Sequence, residues 1–319
     1  MIVRWSLREL PGVLAEVGIA APLLVAGPRW DGTRPVTSVH HAARWREVPS
    51  ERVTVPDGVD GILAVGGGSA VATAKHASAQ AGLPLVSVPT TYSGAEWTTF
   101  YGIRSPDRRI RGGGSGALPA GIVYDVDLTL GLPRPESGGT ALNALAHCAE
   151  ALYVRGRSDE GDVEALAGAR LIAASLPRVL ADLGDREARD GLLRGAAHAG
   201  HARGRAGLGL GHAMAQAVGG AYGISHGAAN ALCLPPALAF NRPVVPGALD
   251  RFGDAIGGDP VEAFRALAEL AGFVRLRDLG VPHADLPGLA AAASERAGNA
   301  ANPRPATPAE IEELLESIW

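Results

Sequence analysis

The chain has 319 residues, of which 47% are hydrophobic and 19% charged, and this composition excludes wholesale disorder because so much apolar surface can form a large core. Its net charge of −4 provides no positive field for nucleic acid, and no stretch is apolar for the roughly 18 residues that a membrane span needs. The N-terminus lacks a signal-peptide profile, and Cys148 and Cys233 lie in apolar helix-like runs that do not indicate a disulfide framework. We therefore expect a soluble cytoplasmic protein of about two domains that binds small molecules, not nucleic acid or membranes.

The first half of the chain alternates short apolar runs with helix-like stretches. Strands are predicted at residues 23–26, 61–65, 85–88 and 121–124, and a helix is predicted at 70–81. This alternation indicates an α/β domain with a parallel sheet. Residues 28–60 are rich in proline and have room for one short strand and one short helix, whereas a complete nucleotide-binding half needs helix, strand and helix there. The predicted nucleotide domain is therefore abridged.

From about Pro135 onward, helical periodicity replaces the strand pattern. Helices are predicted at residues 140–154, 163–183, 186–208, 213–218, 227–240, 260–271, 286–296 and 308–318. Thr307 is a suitable N-cap for the last of these, with Pro308 at its first position. Because glycine and proline cluster at 131–137, we predict an α/β domain over residues 1–135 and an all-helical domain over 136–319.

Two motifs in the first domain indicate a phosphate-bearing ligand. Gly66, Gly67, Gly68 and Ser69 stand between a strand and a helix, where glycines allow close backbone approach and the helix offers free N–H groups to an anion. The hydroxyl residues Thr90 and Thr91 follow the next predicted strand, and both strand ends face the same crevice. The alternatives are a tight turn and an ordinary capped helix start.

Two other features near these motifs are notable. The single lysine of the chain, Lys75, follows the first glycine run closely. A second glycine run, residues 112–116, follows no predicted strand directly, and we expect it to be a flexible loop.

Polar side chains converge in the helical half. Asn143 and His147 are four residues apart and share a helix face, as do His212 and Gln216 on another helix. His226 follows after a glycine break. A single histidine is more often a packed or surface residue, so the prediction that these side chains meet at the domain cleft depends on their joint arrangement.

These residues together resemble a known family. The motifs Gly66–Ser69 with Lys75, then Pro89–Tyr92, then Asn143 with His147, and the fourteen-residue spacing from His212 to His226 are similar to those of iron-containing alcohol dehydrogenases, and especially of maleylacetate reductases. The supporting stretches are residues 123–133, 142–147 and 302–305. The resemblance implies the dehydroquinate synthase-like/iron-containing alcohol dehydrogenase architecture, with a nucleotide-binding domain, a helical catalytic domain and an active site between them. It also implies NAD(P)H-dependent reduction and, we expect, a homodimer.

Site residues follow from the resemblance position by position. Gly66, Gly67, Gly68 and Ser69 would hold the pyrophosphate, and Thr90 and Thr91 would line the cofactor. Asn143, His147, His212 and His226 match the four positions that hold the metal in iron-dependent members. Three neutral imidazoles and an amide provide no anionic ligand for zinc or iron, so we do not expect a resident metal, although three histidines can bind zinc.

The expected catalytic residues are His147, His212, Gln216 and His226. Gln216 stands where the family usually has a second histidine as candidate proton donor, and glutamine cannot donate and regain a proton near neutral pH. Pro236 stands where the reductases carry histidine. These departures leave three hypotheses open. The first is an NAD(P)H-dependent reductase of an enone or keto acid, in which His212 or His226 supplies the proton or holds substrate carboxylates. The alternative is a non-redox cyclase or isomerase of a specialised biosynthetic pathway, and the third is a non-catalytic binding protein.

Overall fold

The structure, a computed structural model, describes residues 1–50, 52–104 and 110–319 of the chain. Of residues 103, 104 and 110–113 it describes the backbone only. The chain divides into two units, Met1–Gly131 and Leu132–Trp319.

Six short strands in the described part of the first unit form one parallel sheet. They are β1 (Ile2–Arg4), β2 (Pro22–Val25), β3 (Ala43–Trp45), β4 (Gly61–Gly66), β5 (Leu85–Pro89) and β8 (Gly121–Val123). Their spatial order is β1-β8-β5-β4-β2-β3, and all neighbours pair in parallel. Every residue of β2, β4, β5 and β8 is buried, which is why these strands could be predicted as continuous apolar runs. The predicted parallel sheet is confirmed.

Helices and an extended segment cover the two faces of this sheet. The helices are α1 (Leu10–Val17), α2 (Arg34–Thr37) and α3 (Gly68–Ala81). Leu10 of α1 and Val36 of α2 pack with Leu24 and Val65 in one cluster. Ala74 and Ala77 of α3 pack on the opposite face with Leu23, Ile62 and Val53. Alternate residues of each strand therefore enter opposite clusters, as the two-residue period of a strand requires.

The expectation of one short helix and one short strand between β2 and β4 is confirmed by α2 and β3. Between β3 and β4, the described residues 46–50 and 52–60 contain no helix. This segment packs on α3, where the backbone N–H of Ser50 donates to the buried Oγ1 of Thr73 at 3.0 Å. An extended connection thus covers the sheet where a crossover helix would otherwise lie.

The second glycine run is a strand, and the predicted loop is wrong. Strand β6 (Phe100–Arg104) and strand β7 (Ile110–Ser115) form an antiparallel pair in which Gly102 lies opposite Gly113. Backbone hydrogen bonds to the partner strand stabilise an extended conformation that glycine alone would not favour. Sequence reasoning missed this because glycine weakens the local strand signal.

The second unit is helical, and its described residues include no strand. Its helices are α4 (Arg134–Ala151), α5 (Asp159–Ala181), α6 (Arg186–Ala206), α7 (Leu210–Tyr222), α8 (His226–Asn241), α9 (Pro246–Ile256), α10 (Pro260–Leu270), α11 (Leu286–Ser294), α12 (Ala297–Ala301) and α13 (Pro308–Glu316). The all-helical prediction is confirmed, but α9 and α12 were not predicted. In α9, Gly253 allows close packing, because a Cβ there would lie 2.5 Å from the carbonyl oxygen of Gly258. Glycine usually indicates a loop in the sequence, but in α9 it allows the helix to pack closely against a neighbouring backbone.

Neither a disulfide nor a membrane-spanning helix is found among the described residues. Cys148 in α4 and Cys233 in α8 are buried free thiols, so they form no disulfide. Within the described ranges, no helix has the length and apolar character needed to cross a membrane.

The predicted cap of α13 is confirmed, and it provides a test of stability. The Oγ1 of Thr307 accepts the backbone N–H of Glu310 at 3.3 Å, and the Glu310 carboxylate accepts the backbone N–H of Thr307 at 2.8 Å. We expect Thr307→Ala to lower the free energy of unfolding by about 1 kcal/mol at neutral pH, measured by urea denaturation. Thr307→Ser, which keeps the capping oxygen, is the control and should behave as the unaltered chain.

The same cap should depend on pH. Hydrogen bonds from Arg304 and Thr307 lower the pKa of Glu310 from its ordinary 4.5 to about 2. A depressed carboxyl pKa contributes stability above pH 4.5 that is lost as the pH falls toward about 2. The free energy of unfolding of the unaltered chain should therefore fall more across that range than that of Glu310→Gln, and equal falls in the two proteins would contradict the role of Glu310 in the cap.

Candidate cofactor turn and histidine cluster

The two predicted cofactor motifs lie side by side at the carboxyl ends of neighbouring strands. Gly66, the last residue of β4, is paired with Pro89, the last residue of β5. The backbone N–H of Thr90 donates to the carbonyl oxygen of Gly66 at 3.1 Å, and Thr90 is buried. This bond joins the glycine turn to the loop that carries Thr91. In a parallel sheet, this edge is where ligands bind.

Glycine is required at two positions of the turn. Gly66 has φ +150°, and a Cβ there would lie 2.8 Å from the Cβ of Ala70. A Cβ on Gly67 would lie 2.8 Å from Cγ2 of Thr91. Gly67 is also the N-cap of α3, and glycine has no side chain with which to cap the helix. The first turn of α3 therefore presents backbone N–H groups and a positive dipole end.

The hydroxyl of Thr91 supports a ligand at this turn. Its Oγ1 is buried and has no hydrogen-bond partner in the described part of the chain. It lies beside the glycines, because a Cβ on Gly67 would be 3.2 Å from it. Ser69 is exposed at the start of α3. These groups fit a dinucleotide cofactor, whose phosphate oxygens would be held by the backbone of residues 66–69 and the Thr91 hydroxyl.

The turn can be tested by adding one methyl group. Gly67→Ala should weaken NADPH binding about tenfold or more, equivalent to about 1.4 kcal/mol, because its Cβ would displace Thr91 and occupy the phosphate approach. Gly12→Ala in α1 is the matched control, since its Cβ would meet nothing within 4 Å. Nicotinamide fluorescence titration measures both. Equal affinity of the two variants would remove the glycine turn from the cofactor site.

In the second unit, three helices bring the predicted histidines together. His147 belongs to α4, His212 to α7, and His226 is the first residue of α8. The ring centroids of His147 and His212 are 4.7 Å apart, and those of His212 and His226 are 5.6 Å apart. Asn143 lies one turn before His147 on α4, and its Oδ1 accepts a hydrogen bond from Nδ2 of Asn230 on α8 at 2.9 Å. We call the three rings the histidine cluster.

Several ring nitrogens of the cluster are buried without a hydrogen-bond partner in the part of the chain that the structure describes. His147 is 1% exposed and His212 is fully buried. Both ring nitrogens of His147 and Nε2 of His212 have no hydrogen-bond partner among the described residues. Burial lowers the pKa of His147 well below 6.5, and nearby Arg203, His212 and His226 lower it further, so this ring is neutral at neutral pH. Unsatisfied buried polar atoms of this kind are typical of a ligand or catalytic site.

Glu150 is a residue that sequence reasoning missed. It lies on α4 three residues after His147, on the same helix face, and that spacing was the available signal. Its side chain is fully buried, and Oε2 accepts from Nδ1 of His212 at 2.7 Å and from the backbone N–H of Gly209 at 2.6 Å. Its Oε1 accepts the backbone N–H of His212 at 3.1 Å. An ionised carboxylate can only accept hydrogen bonds, so an ionised Glu150 would place a hydrogen on Nδ1 of His212.

The remaining predicted positions lie nearby on the same helices. Gln216 is one turn after His212 on α7 and is half-buried. Pro236 is buried within α8. Other histidines pair with carboxylates outside the cluster, as His198 does with Glu164.

The donors in the cluster do not fit the iron-type metal that the resemblance implies. Across the described ranges, no three His, Cys, Asp or Glu side chains are arranged to hold a metal ion. The carboxylate in contact with the cluster, Glu150, is bonded to His212 and Gly209, and the Oδ1 of Asn143 accepts from Asn230. The remaining candidate ligands are neutral imidazoles and an amide, so the ligand set itself contains no anionic donor for iron.

Metal analysis tests this conclusion. We expect protein purified without chelators to contain far less than one zinc or iron per chain by elemental analysis, with unchanged NADPH binding after dialysis against a chelator. Asn143→Asp adds the missing anionic ligand and should raise the metal content. One equivalent of zinc or iron in the unaltered protein would overturn the conclusion.

Comparison with known proteins identifies relatives over both units. The family model "Iron-containing alcohol dehydrogenase" matches residues 3–125, and "Fe-containing alcohol dehydrogenase family, C-terminal" matches residues 138–319. Maleylacetate reductase of Sphingobium indicum is 38% identical over 259 residues, which are 80% of this chain and 73% of that protein. Maleylacetate reductase of Burkholderia cepacia is 34% identical over 301 residues, 92% of this chain and 84% of that protein.

Solved structures give the same result. Maleylacetate reductase from Agrobacterium tumefaciens has a TM-score of 0.90 at 27% identity, with 100% of this chain and 95% of that chain covered. An iron-containing alcohol dehydrogenase from Corynebacterium glutamicum has a TM-score of 0.91 at 29% identity, with 100% and 94% covered.

Proposed function

The chain belongs to the iron-containing alcohol dehydrogenase family and is an oxidoreductase, and from that premise we propose that it is an NAD(P)H-dependent reductase of the maleylacetate type. Its substrate would be an enone acid that is reduced to the saturated keto acid. The observation that carries this proposal is the histidine cluster, in which His147 and His212 present buried ring nitrogens without partners among the described residues. The maleylacetate reductases that the chain resembles support the substrate class.

In this proposal the first unit binds the cofactor. The backbone of Gly66–Ser69 and the Thr91 hydroxyl would bind its phosphates, and NAD(P)H supplies a hydride when bound. The buried bond between Thr90 and Gly66 fixes these groups relative to each other. A preorganised turn binds phosphate without reordering its own backbone.

The second unit handles the proton. Reduction of an enone adds a hydride to the β-carbon and a proton to the α-carbon, so the protein must supply one proton in each cycle. Gln216 cannot provide it, and His147 is neutral at neutral pH. We assign the proton to Nε2 of His212, because its Nδ1 is already bonded to Glu150. His147 and His226 would then orient polar groups of the substrate, and the low-dielectric surroundings strengthen such bonds.

Removing His212 tests the assignment. His212→Ala should lower the kcat of NADPH oxidation with an enone acid such as maleylacetate by about 10²–10⁴-fold, the usual contribution of a general acid. The Kd for NADPH should stay unchanged, because the groups proposed to bind its phosphates are the backbone of residues 66–69 and the Thr91 hydroxyl and do not include His212. His198→Ala, which removes a half-exposed histidine paired with Glu164, is the control and should keep full activity.

Another outcome would contradict the reductase. If the unaltered protein binds neither NADH nor NADPH at millimolar concentration, and His212→Ala still abolishes formation of a cellular product, hydride transfer is excluded. The non-redox cyclase or isomerase would then replace it. The expected homodimer stays a prediction, which sedimentation would test.

A further inference from the structure

We propose that Glu150 is a positioning residue of the reductase, which holds the His212 ring in the tautomer with hydrogen on Nδ1 and so reserves Nε2 for proton exchange with the substrate. This inference rests on the proposed function only where it predicts an effect of Glu150 on the rate of substrate reduction. Its geometric content, the carboxylate–imidazole bond, can be tested without any substrate.

The carboxylate of Glu150 has a fixed place at the start of α7. Gly209 is the N-cap of α7 and His212 its third residue, and no side chain of the N-cap serves this helix. Glu150 instead accepts both backbone N–H groups, at 2.6 Å from Gly209 and 3.1 Å from His212. A negative charge at a helix N-terminus is also favoured by the helix dipole. The carboxylate is therefore held by α7 independently of the imidazole.

Small residues make this approach possible. A Cβ on Gly209 would lie 3.1 Å from Cδ of Glu150, and a Cβ on Gly211 would lie 3.0 Å from its Oε1. Both distances are tighter than ordinary contacts, so larger residues here would push the carboxylate away from α7. The glycines on either side of Leu210 thus leave the space that the Glu150 carboxylate occupies.

The bond to the imidazole goes beyond helix capping. At 2.7 Å, Oε2 of Glu150 accepts the hydrogen of Nδ1, which leaves the lone pair or the exchangeable proton of His212 on Nε2. His147 has no such partner on either nitrogen among the described residues. Of these two buried rings, His212 is therefore the one whose tautomer the protein fixes. In the reaction, Nε2 gives its proton to the α-carbon as hydride reaches the β-carbon, and a solvent proton then restores it.

The charge of Glu150 supports the same step. A proton on Nε2 makes His212 an imidazolium, and burying a cation without a counter-charge is costly. The adjacent carboxylate offsets that charge, as an orienting carboxylate does for a catalytic imidazole in other enzymes. The carboxylate of Glu150 hydrogen-bonds directly to the His212 ring, so it can compensate a positive charge on that ring.

The first test is the tautomer of His212 in the unaltered protein. Nitrogen NMR of ¹⁵N-histidine-labelled protein should show His212 with hydrogen on Nδ1, assigned by the signal that disappears in His212→Gln. Hydrogen on Nε2 with a bare Nδ1 would overturn the proposal. The tautomer is read from the unaltered protein, and His212→Gln serves only to assign the signal. If His212→Gln does not fold, substitutions of the other histidines assign their signals and leave that of His212 by elimination.

The second test is Glu150→Gln, which keeps the shape of the side chain and removes its charge. We expect kcat to fall about 10²–10⁴-fold, with a smaller change in KM, an unchanged Kd for NADPH and an altered ¹⁵N signal of His212. Glu164→Gln is the matched control, because Glu164 also accepts from a histidine Nδ1, that of His198, but outside the cluster. It should keep full activity. If Glu150→Gln folds and retains the kcat of the unaltered enzyme, the positioning role is wrong.

The outcomes separate this inference from the proposed function. If His212→Ala stops turnover while Glu150→Gln does not, only the role of Glu150 fails. If neither variant changes NADPH oxidation, the reductase assignment of the cluster itself fails. If Glu150→Gln does not fold, the tautomer of His212 in the unaltered protein alone decides the proposal.

Discussion

The close approach of α4 and α8 is the constraint on which the histidine cluster depends. A Cβ on Gly227 would lie 2.4 Å from the carbonyl oxygen of Gly139, so the two backbones touch at this point. Gly139 lies one turn before Asn143, and Gly227 directly follows His226. Side chains at this crossing would separate the helices and with them the polar residues that they carry. The contact between two glycine backbones therefore sets the spacing of the candidate site.

Burial gives the cluster its chemical character. His147 and His212 are removed from water, and this raises the cost of any charge that they carry. The two rings have different surroundings, because burial and then the charge of Arg203 disfavour a proton on His147, whereas Glu150 hydrogen-bonds to His212. One buried ring is thus kept neutral and the other is given a counter-charge. Such division of function between neighbouring groups of the same type comes from the environment and not from the residue type.

The sequence predicted the architecture well where periodicity was strong. The buried strands, most long helices and the Thr307 cap follow from local patterns, and the structure confirms them. The hairpin at β7 and helix α9 were missed because glycines in both segments weaken the local signal and tertiary contacts determine the structure.

The candidate site was predicted in part. Histidine spacing was sufficient to propose that His147, His212 and His226 meet, which their ring distances confirm, while their catalytic roles stay predictions. Glu150 was missed because its partners, Gly209 and His212, lie 59 and 62 residues away along the chain. The function of a glutamate within a helix cannot be predicted from the sequence until the helix that packs against it is known. Composition likewise gives the number of glycines and not which of them touch another backbone.

The single lysine illustrates how a charge near a candidate phosphate site can be used for structure. Lys75 follows the glycine turn on α3 and is fully buried. Its Nζ donates to the carbonyl oxygens of Ala95 and Phe100 at 2.5 and 3.0 Å and to Oγ1 of Thr98 at 3.2 Å. An ammonium group has three hydrogens, and each of these three oxygens can accept one of them.

It follows that Lys75 cannot also bind a cofactor phosphate without breaking bonds that hold the segment after the Thr91 loop. These bonds attach the segment from Ala95 to Phe100 to α3, which is also the helix whose first turn would bind the phosphate. In the proposed cofactor site, phosphate recognition would thereby be left to backbone N–H groups and the Thr91 hydroxyl, which are neutral donors. The residues bonded to Lys75 follow Thr91 closely in the chain, so this buried cation would contribute to the candidate cofactor site through the backbone that it holds and not through direct contact.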